Sequence, residues 1–510
     1  MFKGAQANER RGAALILYTV LLPTILLFCG LAIDLSVLYV VQTRLSSAVD
    51  GAALGAGRLL GTSANSTEIA GEFLKANFPV GFWGSYNLTP TVTRTDNISL
   101  HTIAVTATVQ VPLLFLRLLR QDNCIVAAAA TAVRRDVRVE LVLDRSYSMV
   151  SQMAALRAAA GNFVNLFSPG NDELGLVAFG GSAFVAYPTA RPYSLTGGTG
   201  PDVHFADPVS GSADNMLTMI SALQVGTDTN TSEGLWLAYQ ELKKAAAIDS
   251  DPTKANVIVL FTDGVPNGFT AFLNDPHNNA LSSSSGCKYN PSTGSSNQMI
   301  GWIATTATVN NPVGLAFFSP TASRGIGFYP LLIFDTTHTA KYWVNTLDNS
   351  YNPPMVNDMV SQVGGTPMTN CSNINQNGLS GLAKIPPQDY YATSSGGTAY
   401  TQGVLYQQYA VAYDTTKPNN GYHVGLASWN VADNTAQRIL SDSAMNIEIY
   451  TIGYTGNGGV DDTLLKRIAN TQDSSSYNSS YQSGRYVTTD ATSLQQGFAQ
   501  VAAEVLKLTK

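Results

Sequence analysis

The chain has 510 residues, 45% of them hydrophobic and only 13% charged, with a formal net charge of −6. No basic stripe is present, which argues against a nucleic-acid partner. The four cysteines form no Cys-x-x-Cys pair, and the phosphate-loop, His-Glu-x-x-His and Gly-x-Ser-x-Gly patterns are missing, so zinc, redox and enzymatic roles are not expected.

In chain order, the first element is an apolar run. Gly12 to Ile33 carries no charged residue, and about 20 apolar residues suffice to cross a bilayer as a helix. Pro23 lies within the run, where a membrane helix tolerates it. Lys3, Arg10 and Arg11 precede it, so residues 1–11 are expected in the cytoplasm and everything after Asp34 outside it. A cleaved signal peptide is the alternative, for which the apolar core is long. Val111 to Leu119 is too short to span and is interrupted by Arg117. Beyond the span 12–33, Leu38, Val41, Leu45, Ala48 and Ala52 recur at helical spacing. They predict an amphipathic stalk over residues 34–60, loosened at Gly55 and Gly57. Its stripe would pack on its own small domain alone, or would also pack against like helices in a homo-oligomer.

Arg10-Arg11-Gly12, Gly30-Leu31-Ala32-Ile33-Asp34, Arg44-Leu45 and Ala48-Val49-Asp50-Gly51-Ala52-Ala53-Leu54 resemble the N-terminal segment of TadG-like proteins. That family belongs to the bacterial tight-adherence (Flp) pilus machinery and often carries a C-terminal A domain. The resemblance implies a single-pass protein of the bacterial inner membrane, with its bulk extracytoplasmic, serving pilus assembly or anchoring. Processed pilins of these systems carry Glu-Tyr shortly inside the apolar helix. Here Tyr18 stands alone, so a retained anchor is expected.

Residues 61–135 read as a small α+β region. Thr91 to Thr95, Ile103 to Val109 and Cys124 to Val133 suggest a little antiparallel sheet packed on the stalk, pilin-like by analogy. Residues 136–508 then alternate strands and helices. Val137 to Leu143 is an apolar strand, Met149 to Phe167 a helix, and Leu174 to Phe179 with Ala183 to Tyr187 a hairpin. A helix from Glu233 to Ala247 precedes the strand Ala255 to Phe261. Further on come the helix Val431 to Ser443, the strand Ile447 to Gly453, the helix Asp461 to Ala469, the strand Arg485 to Thr488 and the helix Leu494 to Leu506. The pattern predicts an α/β domain, a doubly wound, mostly parallel sheet covered on both faces. Without its interruption it has roughly 230 residues, long enough for a full core.

Two strand ends carry chemistry. The first opens on Asp144-Arg145-Ser146-Tyr147-Ser148 and the second on Thr262-Asp263-Gly264. Between them, just ahead of a helix, lies Gly226-Thr227-Asp228-Thr229-Asn230-Thr231. Short hydroxyl and carboxylate side chains are what a hard divalent cation takes. Asp144, Ser146, Ser148, Thr229 and Asp263 are therefore the candidate ligands of Mg²⁺, or of Mn²⁺ or Ca²⁺, on the sheet edge where α/β folds build ligand sites. Thr227 and Thr231 flank Thr229 two residues away on either side. Residue 146 is Ser where an aspartyl-phosphate enzyme would want a second Asp, so the loop reads as a binding site without turnover.

This arrangement resembles the von Willebrand factor A domain and its metal-ion-dependent adhesion site. There two Ser and a Thr commonly bind the metal directly, and two Asp bind it directly or through water. The resemblance implies that a partner protein's Asp or Glu carboxylate completes the shell, here a pilus-assembly component. The interruption, residues 265–388, is rich in Ser, Thr, Asn, Gly and Pro, yet carries Trp302, Phe317, Phe318, Phe328, Tyr329 and Trp343. So many aromatics argue against plain disorder. Leaving from a site-bearing strand end, it is expected to act as a lid or partner-reading surface. A smaller insertion covers Arg191 to Ala213. Cys287 and Cys371 both lie in the large insertion and could form a disulfide outside the cytoplasm. Cys124 is expected to be a buried small apolar residue. Two further readings stand beside pilus assembly: a surface adhesin that contacts host or matrix directly, and a structural stalk protein whose metal site is vestigial.

Overall fold

A computed structural model describes residues 5–60, 65–188, 200–208, 215–274, 298–304, 315–318, 346–348, 355–357, 389 and 421–506, apart from 98, 182, 227, 250, 252 and 458. Most of the large insertion, with Cys287 and Cys371, lies outside them, as does much of the segment Arg191 to Ala213. The chain divides into two compact units, one ending at Arg135 and the other running from Asp136 to Leu506.

The first unit is built on α1 (Ala5–Gly57), one helix of 53 residues with Pro23 inside it. Among the described residues it is the one helix long and apolar enough to cross a membrane. Its second half is the stalk anticipated from the spacing. Val41, Leu45, Ala48 and Ala52 are fully buried, and Leu38 packs partly buried beside them. They meet α2 (Ser66–Asn77) and the sheet β1 (Tyr86–Asp96), β2 (Leu100–Pro112) and β3 (Asn123–Arg135), antiparallel throughout. Alternation does the packing: Ile103, Val105, Ala107, Val109 and Val111 of β2 all face the helix. The stripe packs on the unit's own helix α2 and sheet. Cys124 departs from expectation. It is the second residue of β3, in phase with the buried Val126, and is only partly covered because it lies at the open end of the strand.

The second unit is a six-stranded sheet in the order β14-β13-β7-β4-β5-β6. Its strands are β4 (Val137–Asp144), β5 (Glu173–Phe179), β6 (Ala183–Tyr187), β7 (Ala255–Thr262), β13 (Glu448–Tyr454) and β14 (Tyr486–Thr489). All neighbours are parallel except the hairpin β5–β6. The apolar runs of β4 and β7 are buried on both faces, as parallel strands require. Val139, Leu141 and Leu143 face α3 (Met153–Val164), α4 (Met216–Ala222) and α8 (Leu494–Val505). Val142, Ile258 and Leu260 face α5 (Thr231–Ile248), α6 (Gly421–Leu440) and α7 (Asp462–Ile468). In the insertion, β8 (Gly268–Asn274), β9 (Gln298–Ala304) and β10 (Leu315–Phe318) form an antiparallel sheet, and β11 (Thr346–Asp348) pairs with β12 (Met355–Asn357).

Two helices differ from the sequence reading. The stretch Met149 to Phe167 splits into a 3-10 turn, Tyr147–Ser151, and then α3, because Ser146 and Ser148 aim their hydroxyls at Asp263 before the helix can start. Helix α6 begins at Gly421, ten residues before the expected Val431. Its first turns, with Gly421, Gly425 and Asn430, lack an apolar period, yet Leu426 and Ala427 are buried. Tertiary packing overrides weak propensity there.

Candidate metal centre

The chain leaves β4 for β5 on one side and later takes up β7 on the other, so the sheet order reverses between β4 and β7. Loops diverge at such a point and leave a crevice at the carboxyl ends of the strands. Asp144 ends β4, and Asp263 follows the last residue of β7. The pairing Leu143 with Phe261 sets the two strand ends level.

Four of the five predicted residues converge through direct hydrogen bonds. Ser148 Oγ donates to Asp263 Oδ1 at 2.8 Å, and Ser146 Oγ reaches the same oxygen at 3.4 Å. The two serine hydroxyls lie 2.9 Å apart. Asp144 Oδ1 accepts the Ser146 backbone N–H at 2.8 Å, which turns the loop tightly enough to bring both serines back over the sheet edge. Thr229 comes from the third loop. A Cβ placed on Gly264 would lie 3.7 Å from its Oγ1, so this hydroxyl faces the turn that carries Asp263. Of its two rivals, Thr227 lies outside the described residues, while Thr231 is buried in the first turn of α5. Asp144, Ser146, Thr229 and Asp263 are all buried, and Ser148 opens to solvent.

Several supporting residues escaped the sequence reading. Thr262 Oγ1 lies 2.6 Å from Asp144 Oδ2 and fixes the carboxylate's second oxygen. Asn267 Oδ1 accepts the Thr229 N–H at 2.7 Å, and the Asn267 N–H returns to Thr229 O at 3.0 Å. Asn230 caps α5, receiving the Glu233 N–H, while Glu233 Oε2 accepts from Asn230 Nδ2 and Thr270 Oγ1, both at 2.8 Å. The Asn-x-x-Glu spacing ahead of an apolar run was the available signal for that cap. Thr262 and Asn267 had none, since each acts across strands or loops. The Arg145 N–H donates to Phe179 O, the Gly226 N–H donates to Arg145 O, and the Arg145 guanidinium lies over the Phe184 ring, which binds the first loop to the second.

Burial first, and then the neighbouring Asp263 carboxylate, push Asp144 up to about 7. Two carboxylates brought together out of water favour losing one charge unless a cation joins them. The donor set of two carboxylates and three hydroxyls, with no sulfur or imidazole, fits a hard divalent ion. Among the described residues, no group of three or more His, Cys, Asp or Glu side chains could hold a metal, so hydroxyls are indispensable to this set.

Two family models match segments of the chain. Residues 12–59 match the family described as "Putative Flp pilus-assembly TadE/G-like", and residues 139–265 match the von Willebrand factor type A domain. No curated protein matches the chain. Among solved structures, it is similar to a variant of the PilB minor pilin from Streptococcus sanguinis, at 14% identity and TM-score 0.31, covering 82% of this chain and 79% of that one. It is also similar to the vWF domain of the type V pili tip protein Mfa5 from Porphyromonas gingivalis, at 15% identity and TM-score 0.30, covering 72% and 95%. The chain joins a TadE/G-like N-terminal segment to a von Willebrand factor type A domain.

Proposed function

We propose that this is a membrane-anchored component of tight-adherence pilus assembly or anchoring whose A domain binds a protein partner through a metal-bridged carboxylate. The observation that carries it is the convergence of Asp144, Ser146, Ser148 and Asp263 at the switch point, with the Thr229 hydroxyl facing the same turn. Ser146, Ser148 and Thr229 would hold Mg²⁺ by their hydroxyls, and Asp144 and Asp263 by carboxylates, directly or through water. The bound ion supplies positive charge and a coordination position that an Asp or Glu of the partner fills. The protein's own part is to pre-set the donors: Thr262 orients Asp144, and Asn267 holds Thr229. In the proposed layout, residues 1–11 are cytoplasmic, 12–33 span the inner membrane and the A domain of 136–508 lies outside the cytoplasm. The arginines ahead of the span support that orientation.

Calorimetric titration of the detergent-solubilised full chain with Mg²⁺ and Mn²⁺ tests the reading. Wild type should bind one ion, and Asp144→Ala and Asp263→Ala should bind at least about tenfold more weakly, a loss of roughly 1.4 kcal/mol or more. Equally poor binding by wild type and both variants would remove the metal bridge.

A further inference from the structure

The first unit carries a second feature that partner binding does not use. The β2–β3 connection turns back toward the apolar half of α1. Asp34, buried on the helix, accepts the backbone N–H groups of Leu114, Phe115 and Leu116 at 2.9, 3.0 and 2.8 Å. The Phe115 ring then lies directly on Gly30, where a Cβ would have no room. A helix rises about 1.5 Å per residue, so Gly30 lies ~6 Å back from Asp34, inside the uncharged run that ends at Ile33. That run is ~33 Å long, close to the ~30 Å hydrocarbon thickness of a bilayer. The loop is therefore pinned at the depth where the membrane-spanning segment ends.

Its composition suits that depth. Leu114 and Leu118 are 66% and 80% exposed, and Arg117 and Arg120 are exposed on the same turn. Arg117 lies 3.3 Å from Asp122, a pair open to solvent on both sides. The sheet brings more to this rim. Tyr86 of β1 pairs with Gln110, and Pro112 pairs with Asn123, so β1 starts, β2 ends and β3 starts at one end. Just before β1, Trp83 is 58% exposed. At the other side of the span's exit, Gln42 Nε2 donates to Ala127 O at 2.9 Å, so β3 climbs away from the membrane alongside α1. Exposed leucines beside a tryptophan and two arginines are the composition of a lipid–water interface, where aromatic rings settle and arginines reach headgroup phosphates.

We propose that the rim formed by Trp83, Leu114, Leu118, Arg117 and Arg120 sits in the outer headgroup layer of the bilayer that α1 crosses. Asp34 acts as the latch that sets its depth. The proposal rests on α1 being a membrane anchor. Its occupant is lipid, because the rim is continuous with the helix surface that lipid already covers.

The test uses the full chain in phospholipid vesicles with or without bromine on the acyl chains, which quenches nearby tryptophan. Leu118→Trp places a new indole on the rim, and Asn97→Trp places one at the exposed turn between β1 and β2, the far end of the sheet. The emission added by Leu118→Trp should be blue-shifted and roughly twofold weaker in brominated vesicles, as for an interfacial aromatic. The emission added by Asn97→Trp should not change. Solvent-like, unquenched emission from Leu118→Trp overturns the proposal. So does blue-shifted emission that ignores bromine and follows the protein-to-lipid ratio, since a second copy then covers the rim. Vesicle flotation after an alkaline wash separates the two levels. Failure to float removes the anchor itself, whereas flotation with an unquenched rim removes only the docking.

Discussion

Glu140 offers the sharpest test of the energetics. It sits in the middle of β4, fully buried, and among the described residues neither carboxyl oxygen has a hydrogen-bond partner. Burial first, and then the Glu241 carboxylate on α5, hold its pKa well above the ordinary 4.5, against the pull of Lys244. In the unfolded chain the carboxyl titrates near that ordinary value. Between the two pKa values the folded chain keeps a proton that the unfolded chain has released. The associated stability is fully present below about pH 4.5 and is lost as pH rises through the folded pKa. The loss accrues at up to ~1.4 kcal/mol per pH unit in that window. Glu140→Gln has nearly the same shape and no such titration. Its carboxamide can also donate toward Glu241. Stability of the variant relative to wild type should therefore grow as pH rises from 5 toward 7. For a unit of this size each kcal/mol is worth about 2–4 °C in Tm, so the gap should widen by roughly 3–6 °C over one pH unit. Paired thermal melts of the detergent-solubilised full chains at several pH values give the answer. Titrations common to both chains, Asp144's among them, cancel in the difference. Parallel Tm curves, or a variant whose deficit deepens with pH, would refute the reasoning.

The same carboxyl explains an obligatory glycine. A Cβ at Gly175 would collide with the Glu140 side chain, so Gly175→Ala should lower stability by about 1–3 kcal/mol through overpacking. Combining it with Glu140→Ala should recover part of that loss in a double-mutant cycle of thermal melts. Arg467 and Asp433 form a buried bidentate pair at 2.9 and 2.8 Å between α7 and α6. Arg467→Met strands the carboxylate and should cost about 3–5 kcal/mol, whereas Arg467→Met with Asp433→Leu should return most of it. Denaturant melts of single and double variants check both outcomes. Additive losses would show that the pair is not coupled.

What the sequence could reveal tracked the range of the physics involved. The strands β4 and β7 were legible because double burial writes itself as an unbroken apolar run. The stalk was legible because its buried seam recurs every three or four residues. The candidate ligands stood out because they cluster on short loops at strand ends. Thr262 and Asn267 did not, since what they do depends on a neighbour in another loop. Asp34 looked like the end of a membrane segment. Its three backbone hydrogen bonds come from residues some eighty positions away, which no local pattern encodes. The start of α6 was hidden for the opposite reason, because packing rather than propensity holds its glycine-rich first turns.

The unbroken course of α1 has a mechanical consequence. Its 53 residues make a rod ~80 Å long with no joint between the apolar half and the buried seam. A pull on the membrane end is therefore carried straight into the contact of Val41, Leu45, Ala48 and Ala52 with β2 and β3. That contact is loaded along its length, so many side chains must slip together before any one gives way. Load of this kind is resisted far better than peeling from one end.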